Sequence, residues 1–171
     1  VEQKIKSIFA DIKPVENPAE RVYFPVPDNK EPIFAVGHDK EMPNSQVIFS
    51  WKEDVVPAEM KQSMSYLVID YVKQAIGSML NTRLSELTQK PNPPFIVGQA
   101  DFDNYLISKT KDAFMGVSAF KDNEYESAIK ALYREILRAK RFGFTESEYI
   151  RFVEELKSGL DNPYDLREKI R

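Results

Sequence analysis

Between Val55 and Gln89 the apolar residues recur three and four positions apart. Met60, Met64, Leu67, Val68, Tyr71, Val72, Ala75, Ile76, Met79, Leu80, Leu84 and Leu87 form one stripe of an amphipathic helix. Pro57 suits the first helical turn, and Pro91 stands just past the end. Run unbroken from Pro57 to Gln89, this helix would be about 50 Å long. A compact domain of this size has a radius of gyration near ~15 Å, hence a diameter of about 40 Å. Gly77-Ser78 is the weakest point of helix propensity, so the pattern predicts a kink or break within Gly77 to Asn81.

The stretches on either side are shorter. Val1 to Ile12 reads as a short helix with Ile5, Ile8, Phe9 and Ile12 on one side. Pro14, Pro18, Pro25, Pro27 and Pro32 follow; proline fixes φ and lacks a donor, which predicts an extended connector. Val22, Tyr23, Phe24 and Val26 are its candidates for pinning to the surface. Ile33 to His38 and Gln46 to Trp51 read as strands around turn chemistry at Pro43-Asn44, predicting an antiparallel hairpin. Phe95 to Phe102 and Asp112 to Phe120 are the third and fourth strands, with a polar loop between. Asp122 or Asn123 is expected to cap a helix running to about Arg141, with Tyr125, Ala128, Ile129, Leu132, Ile136 and Ala139 inward; Gly143 ends it. Thr145-Glu146-Ser147-Glu148 is a capping box. It opens a helix with Tyr149, Phe152, Val153, Leu156 and Leu160 inside. Asn162-Pro163 is expected to cap one more short helix. The order predicts an α+β fold, an antiparallel sheet of about four strands with helices packed on one face. Residues 1–31 read as N-terminal helix and proline-rich linker, and 32–171 as a single α+β domain.

Length and charge narrow the function classes. A chain of 171 residues suits one domain. Its net charge is −3 with both signs interspersed, so it lacks the basic footprint of a nucleic-acid binder. No cysteine is present, which removes disulfides and thiolate metal sites and leaves cytosol and periplasm both open. The longest apolar run in the central helix, Tyr66 to Ile69, is far too short for a membrane span. The N-terminus carries no signal-peptide pattern, and Val1 in place of Met suggests a processed or excised chain.

The residues offer no catalytic set. Zinc needs several nitrogen, sulfur or carboxylate ligands held together, and His38 is the single histidine. It reads as an ordinary strand or turn residue. Asp101-Phe102-Asp103-Asn104 resembles the start of a calcium loop, but Leu106 occupies the position that requires glycine. The six glycines are scattered, without a phosphate-binding cluster. No G-x-S-x-G elbow surrounds any serine. Glu154-Glu155 and Asp101/Asp103 are acid/base candidates only as any carboxylate pair is. Met60, Met64 and Met79 share the apolar stripe, which favours core packing over a plastic binding groove. From the residues alone, catalytic and metal positions are none, and substrate-binding positions are undetermined.

Several stretches together resemble the pitrilysin/insulinase-type zinc peptidases. Lys4-Ile5-Lys6-Ser7-Ile8-Phe9-Ala10-Asp11-Ile12 resembles the helix after the first domain of that family. Asn17-Pro18-Ala19-Glu20-Arg21 and Pro25-Val26-Pro27 resemble the linker that follows. Asp39-Lys40-Glu41, Met79-Leu80-Asn81-Thr82-Arg83-Leu84-Ser85-Glu86-Leu87 and Phe142-Gly143-Phe144-Thr145-Glu146-Ser147-Glu148 resemble the non-catalytic second domain. Their order and spacing match over nearly the whole chain. The resemblance implies a large parent peptidase built of repeated α+β units around a closed chamber. Its zinc would sit on an inverted His-x-x-Glu-His helix in another unit. No position here matches that motif, so no catalytic residue and no cofactor carries over to this chain. The implied partners are the catalytic domain of the same parent and, through it, a peptide or protein substrate. The implied compartment is the periplasm or cell envelope, with the cytoplasm left open. The alternative is a free-standing, non-enzymatic interaction subunit with the same fold.

Overall fold

The computed structural model describes residues 1–13 and 15–166. In chain order they form α1 (Glu2–Phe9), β1 (Ser45–Asp54), α2 (Met64–Thr88), β2 (Val97–Ser108), β3 (Lys111–Phe120), α3 (Tyr125–Phe142) and α4 (Glu146–Leu166), with a 3-10 turn at Met60–Gln62. The α+β class is as the sequence predicts. The sheet among the described residues has three strands, in the order β1-β3-β2, all neighbours antiparallel. β1 and β2 therefore run parallel, joined through α2, with β3 inserted between them.

The expected hairpin of 33–38 with 46–51 does not form. Residues 33–38 carry no strand assignment, and Ile33, Phe34 and Val36 are exposed. β1 takes β3 as its partner instead, placing Val47 opposite Ser118, Phe49 opposite Gly116 and Trp51 opposite Phe114. That choice puts the apolar alternation of β1 under α3, with Phe49 against Tyr133, whereas Pro32 and Gly37 weaken 33–38 as a strand. The predicted polar loop between the third and fourth strands is also absent. β2 continues to Ser108 through a register irregularity between Asp103 and Ser108, then turns tightly at Lys109-Thr110 into β3. The resemblance of 101–104 to a calcium loop thus falls inside a strand.

The central helix begins at Met64, after the 3-10 turn, with the Ser63 hydroxyl accepting the Tyr66 N–H. At 25 residues it is about 37 Å long. It fits the domain unbroken, so the length argument for a break at 77–81 loses its premise. Gly77 serves close packing: a Cβ there would lie 2.9 Å from Asp101 Oδ1 on β2. Burial along the stripe is uneven. Ala75, Met79, Leu80 and Leu84 are buried, whereas Met64, Leu67, Val68 and Val72 are exposed, as is Met60 just before the helix. Core packing holds for Met79 and fails for Met60 and Met64.

The main core joins Leu80 and Leu84 of α2 to Phe95, Ala100 and Phe120 and to Ala128, Leu132 and Ile136 of α3. Ala75, Met79 and Phe152 form a smaller cluster that seats α4 on α2. The inward face expected for α3 holds at Ala128, Leu132 and Ile136 but not at Tyr125, which is exposed; on α4, Phe152 is buried but Leu160 and Tyr149 are exposed. The α3 cap position is Glu124, not Asp122 or Asn123, and no side chain caps it. Asn123 instead makes the turn, at φ 67°. Helix α4 runs on through Asn162 and Pro163 to Leu166. The carbonyl that Pro163 leaves unpaired belongs to exposed Gly159 and can be solvated. Any helix beyond 166 lies outside the described residues.

Candidate interaction surface

The two motif stretches 79–87 and 142–148, distant in the chain, meet in the fold. Arg83 is 6% exposed and reaches from α2 to the α3–α4 turn. Its Nε donates to Glu148 Oε1 at 2.5 Å, and its Nη2 donates to Glu148 Oε2 at 2.9 Å and to the Gly143 carbonyl at 3.0 Å. The guanidinium also lies 4.5 Å from the Phe144 ring centre. Gly143 makes the turn at φ 66°. Glu148 is at the same time the return arm of the expected capping box. It accepts the Thr145 N–H at 2.7 Å while its own N–H donates to Thr145 Oγ1. The Arg83 hydrogen bond, helped by the Thr145 backbone and hydroxyl, holds the Glu148 carboxyl at about 2, against the opposing pull of burial. The same bond raises Arg83. Both groups are committed to each other, which makes this a structural latch rather than an acid/base pair.

Other candidate chemistry is scattered. His38 is exposed in the extended segment, and Glu154 and Glu155 are exposed on α4. The Asp101 carboxylate accepts from Gln99 Nε2 at 2.8 Å and from Asn81 Nδ2 at 3.3 Å, while Asp103 is exposed further along β2. Among the described residues no three His, Cys, Asp or Glu side chains come close enough to hold a metal ion. The donor set does not fit zinc, which needs such a cluster. An open polar depression of about 610 Å³ lies along α2, lined by Ser78, Asn81, Thr82, Ser85, Glu86, Gln89 and Arg151. It gathers one cation and one carboxylate without a nucleophile–base pair.

What the surface does offer is apolar area. On the first half of α2, Met64 is 75% exposed, and Leu67, Val68 and Val72 are also exposed. On α1 Ile5, Ile8 and Phe9 are bare, as is Ile12 just beyond it. On the sheet face away from α3, Ile48 and Val97 are exposed beside half-buried Val117. Large exposed apolar patches mark contact surfaces. Sequence reasoning identified the apolar positions on both helices but assigned those of α2 to the core. Periodicity alone gave no signal against that assignment, because it marks the apolar side of a helix and not where that side finds a partner.

No protein-family model matches the chain, and no curated protein matches it. Two solved structures do. The first half of the periplasmic protease PqqL from Escherichia coli matches at TM-score 0.78 and 17% identity, over 97% of this chain and 35% of that one. The longer structure of the periplasmic protease PqqL matches at TM-score 0.70 and 18% identity, over 97% of this chain and 18% of that one. The chain thus shares the fold of one part of a larger protease and spans about a third of the shorter structure. No described helix is long and apolar enough to cross a membrane.

Proposed function

We propose that this chain is a non-catalytic unit of a pitrilysin/insulinase-type zinc metallopeptidase, packing beside the catalytic unit and helping to wall the substrate chamber. The observation that carries the reading is a coincidence of two independent likenesses. The sequence stretches that resemble the second domain of that family are also the ones the fold latches together through Arg83 and Glu148. The whole described fold in turn matches a third of a protease chain. The exposed apolar faces of α1 and α2 support a role in packing against neighbours. Zinc would belong to the catalytic unit, where it supplies an activated water for peptide hydrolysis; no residue of this chain is assigned to it. Peptide or protein substrates would be reached through the parent. The periplasmic source of the matched protease supports a place in the cell envelope.

Two assays test the reading. The purified 171-residue chain should leave unstructured peptides intact with or without added zinc. A parent carrying Leu84→Asp, which buries an unpaired charge at a fully buried position, should lose activity with its zinc ligands untouched. Zinc-dependent turnover by the pure chain, or full activity of the Leu84→Asp parent, would overturn it.

A further inference from the structure

Residues 24–28 lie against the sheet without being buried in it: Phe24 is 80% exposed. Polar contacts hold them. Pro25 and Pro27 have no N–H, so the one donor between them is Val26, and it donates to Thr110 Oγ1 at 3.3 Å. The Thr110 hydroxyl in turn donates to the Phe24 carbonyl at 3.2 Å. Lys52 Nζ donates to the Pro27 carbonyl at 2.5 Å. Lys111 is the hub. Its side chain is 8% exposed, and its ammonium contacts Asp28 Oδ1 at 2.9 Å and Asp54 Oδ1, at the end of β1, at 2.5 Å. The receiving turn is itself fixed, because the Thr110 N–H donates to Ser108 Oγ at 3.1 Å. The contacts span 25 to 86 positions of sequence, so they constrain the path of the chain rather than a local turn.

We propose that residues 24–28 are a polar strap, buckled by Lys111 and Thr110, that fixes the direction in which the N-terminal arm leaves the sheet. The two prolines reduce the freedom the strap loses on docking, so a few hydrogen bonds suffice where only Val26 is half-buried. The arm departs beside the end of β1, where Glu53 pairs with Lys73 of α2. It thus leaves at the end of the molecule where the exposed first half of α2 stands. If the chain is a unit of a larger peptidase, the strap holds the adjoining unit at a set angle; that consequence rests on the reading above, whereas the strap itself does not.

The test uses the 171-residue chain alone, so its outcome is independent of any peptidase. Lys111→Met keeps the buried stem and removes the ammonium; Thr110→Val keeps the shape and removes the hydroxyl. Each should speed tryptic cleavage at Arg21 and Lys30, and hydrogen exchange at the Val26 amide, by about tenfold for Lys111→Met, which loses charge-assisted contacts, and by about three- to tenfold for Thr110→Val, which loses neutral ones. Lys130→Ala, which removes only an exposed pair with Glu126, should change neither. If Lys111→Met fails to fold, Thr110→Val decides. Folded variants that keep the original cleavage and exchange rates would overturn the strap.

Discussion

Replacing Glu148 by Gln removes the charge from the latch while keeping its shape and its capping role, since Gln also closes a capping box. The carboxyl stands at about 2, against an ordinary 4.5. At 1.36 kcal/mol per pH unit, that difference amounts to about 3 kcal/mol of folding stability. The side chains of Arg83 and Glu148 are 7% and 18% exposed, so solvent screens the pair little. In Glu148→Gln, Arg83 keeps the Gly143 carbonyl and the Phe144 ring but loses its counter-charge, and a loss of about 2–4 kcal/mol is expected at pH 7. The sign of the pH dependence follows from the lowered carboxyl. Its contribution is complete above the unfolded value of 4.5 and is lost as pH falls towards 2. Urea unfolding from pH 7 down to 2 should therefore show the original chain losing about 3 kcal/mol more than Glu148→Gln does. The double replacement Arg83→Met with Glu148→Leu should cost less than the two single changes summed, since no buried charge is then stranded. A cost below about 0.5 kcal/mol for Glu148→Gln, with parallel pH profiles, would refute the latch.

Leu84 is 0% exposed and Leu67 58%, so chemical denaturation should separate them: about 2–5 kcal/mol lost for Leu84→Ala, against at most about 0.5 for Leu67→Ala. Gly77→Ala alone should not stabilise the helix, because the new Cβ would press on Asp101 Oδ1. In an Asp101→Ala background the same change should gain about 0.5–1 kcal/mol in thermal or urea unfolding, the ordinary helix preference for alanine.

The elements that sequence revealed most fully are those in which one face alone decides. The capping box at Thr145, the turn at Gly143 and the buried row Ala128, Leu132, Ile136 were legible because each obeys a local rule. Strand partners were not. Residues 33–38 and 46–51 are neighbours separated by a turn, yet β1 prefers β3, pairing Asp54 with Lys111 and Ser45 with Phe120. That choice depends on α3 covering Phe49, which no local pattern encodes. Burial of α2 was misread for a related reason: periodicity shows which side is apolar but not how far along the helix that side has a partner. Of the candidate surface, the apolar residues of α1 and α2 were visible and their exposure was not. Lys111 was invisible altogether, since one lysine at a strand end gives no sign that it ties down a segment eighty residues earlier.

Asn81 has a consequence beyond helix packing. Its Oδ1 accepts the outward N–H of Ala100 on β2 at 2.7 Å, the bond that a neighbouring strand would otherwise supply. The amide side chain thus imitates a peptide group and closes the border of the sheet at that point. An unsatisfied edge is where a foreign strand would add and where aggregates begin. Asn81 therefore acts as a guard on the chain's solubility as much as a strut in its fold. Its loss would leave that N–H unpaired at a residue only 1% exposed, and should lower the melting temperature as well as the solubility.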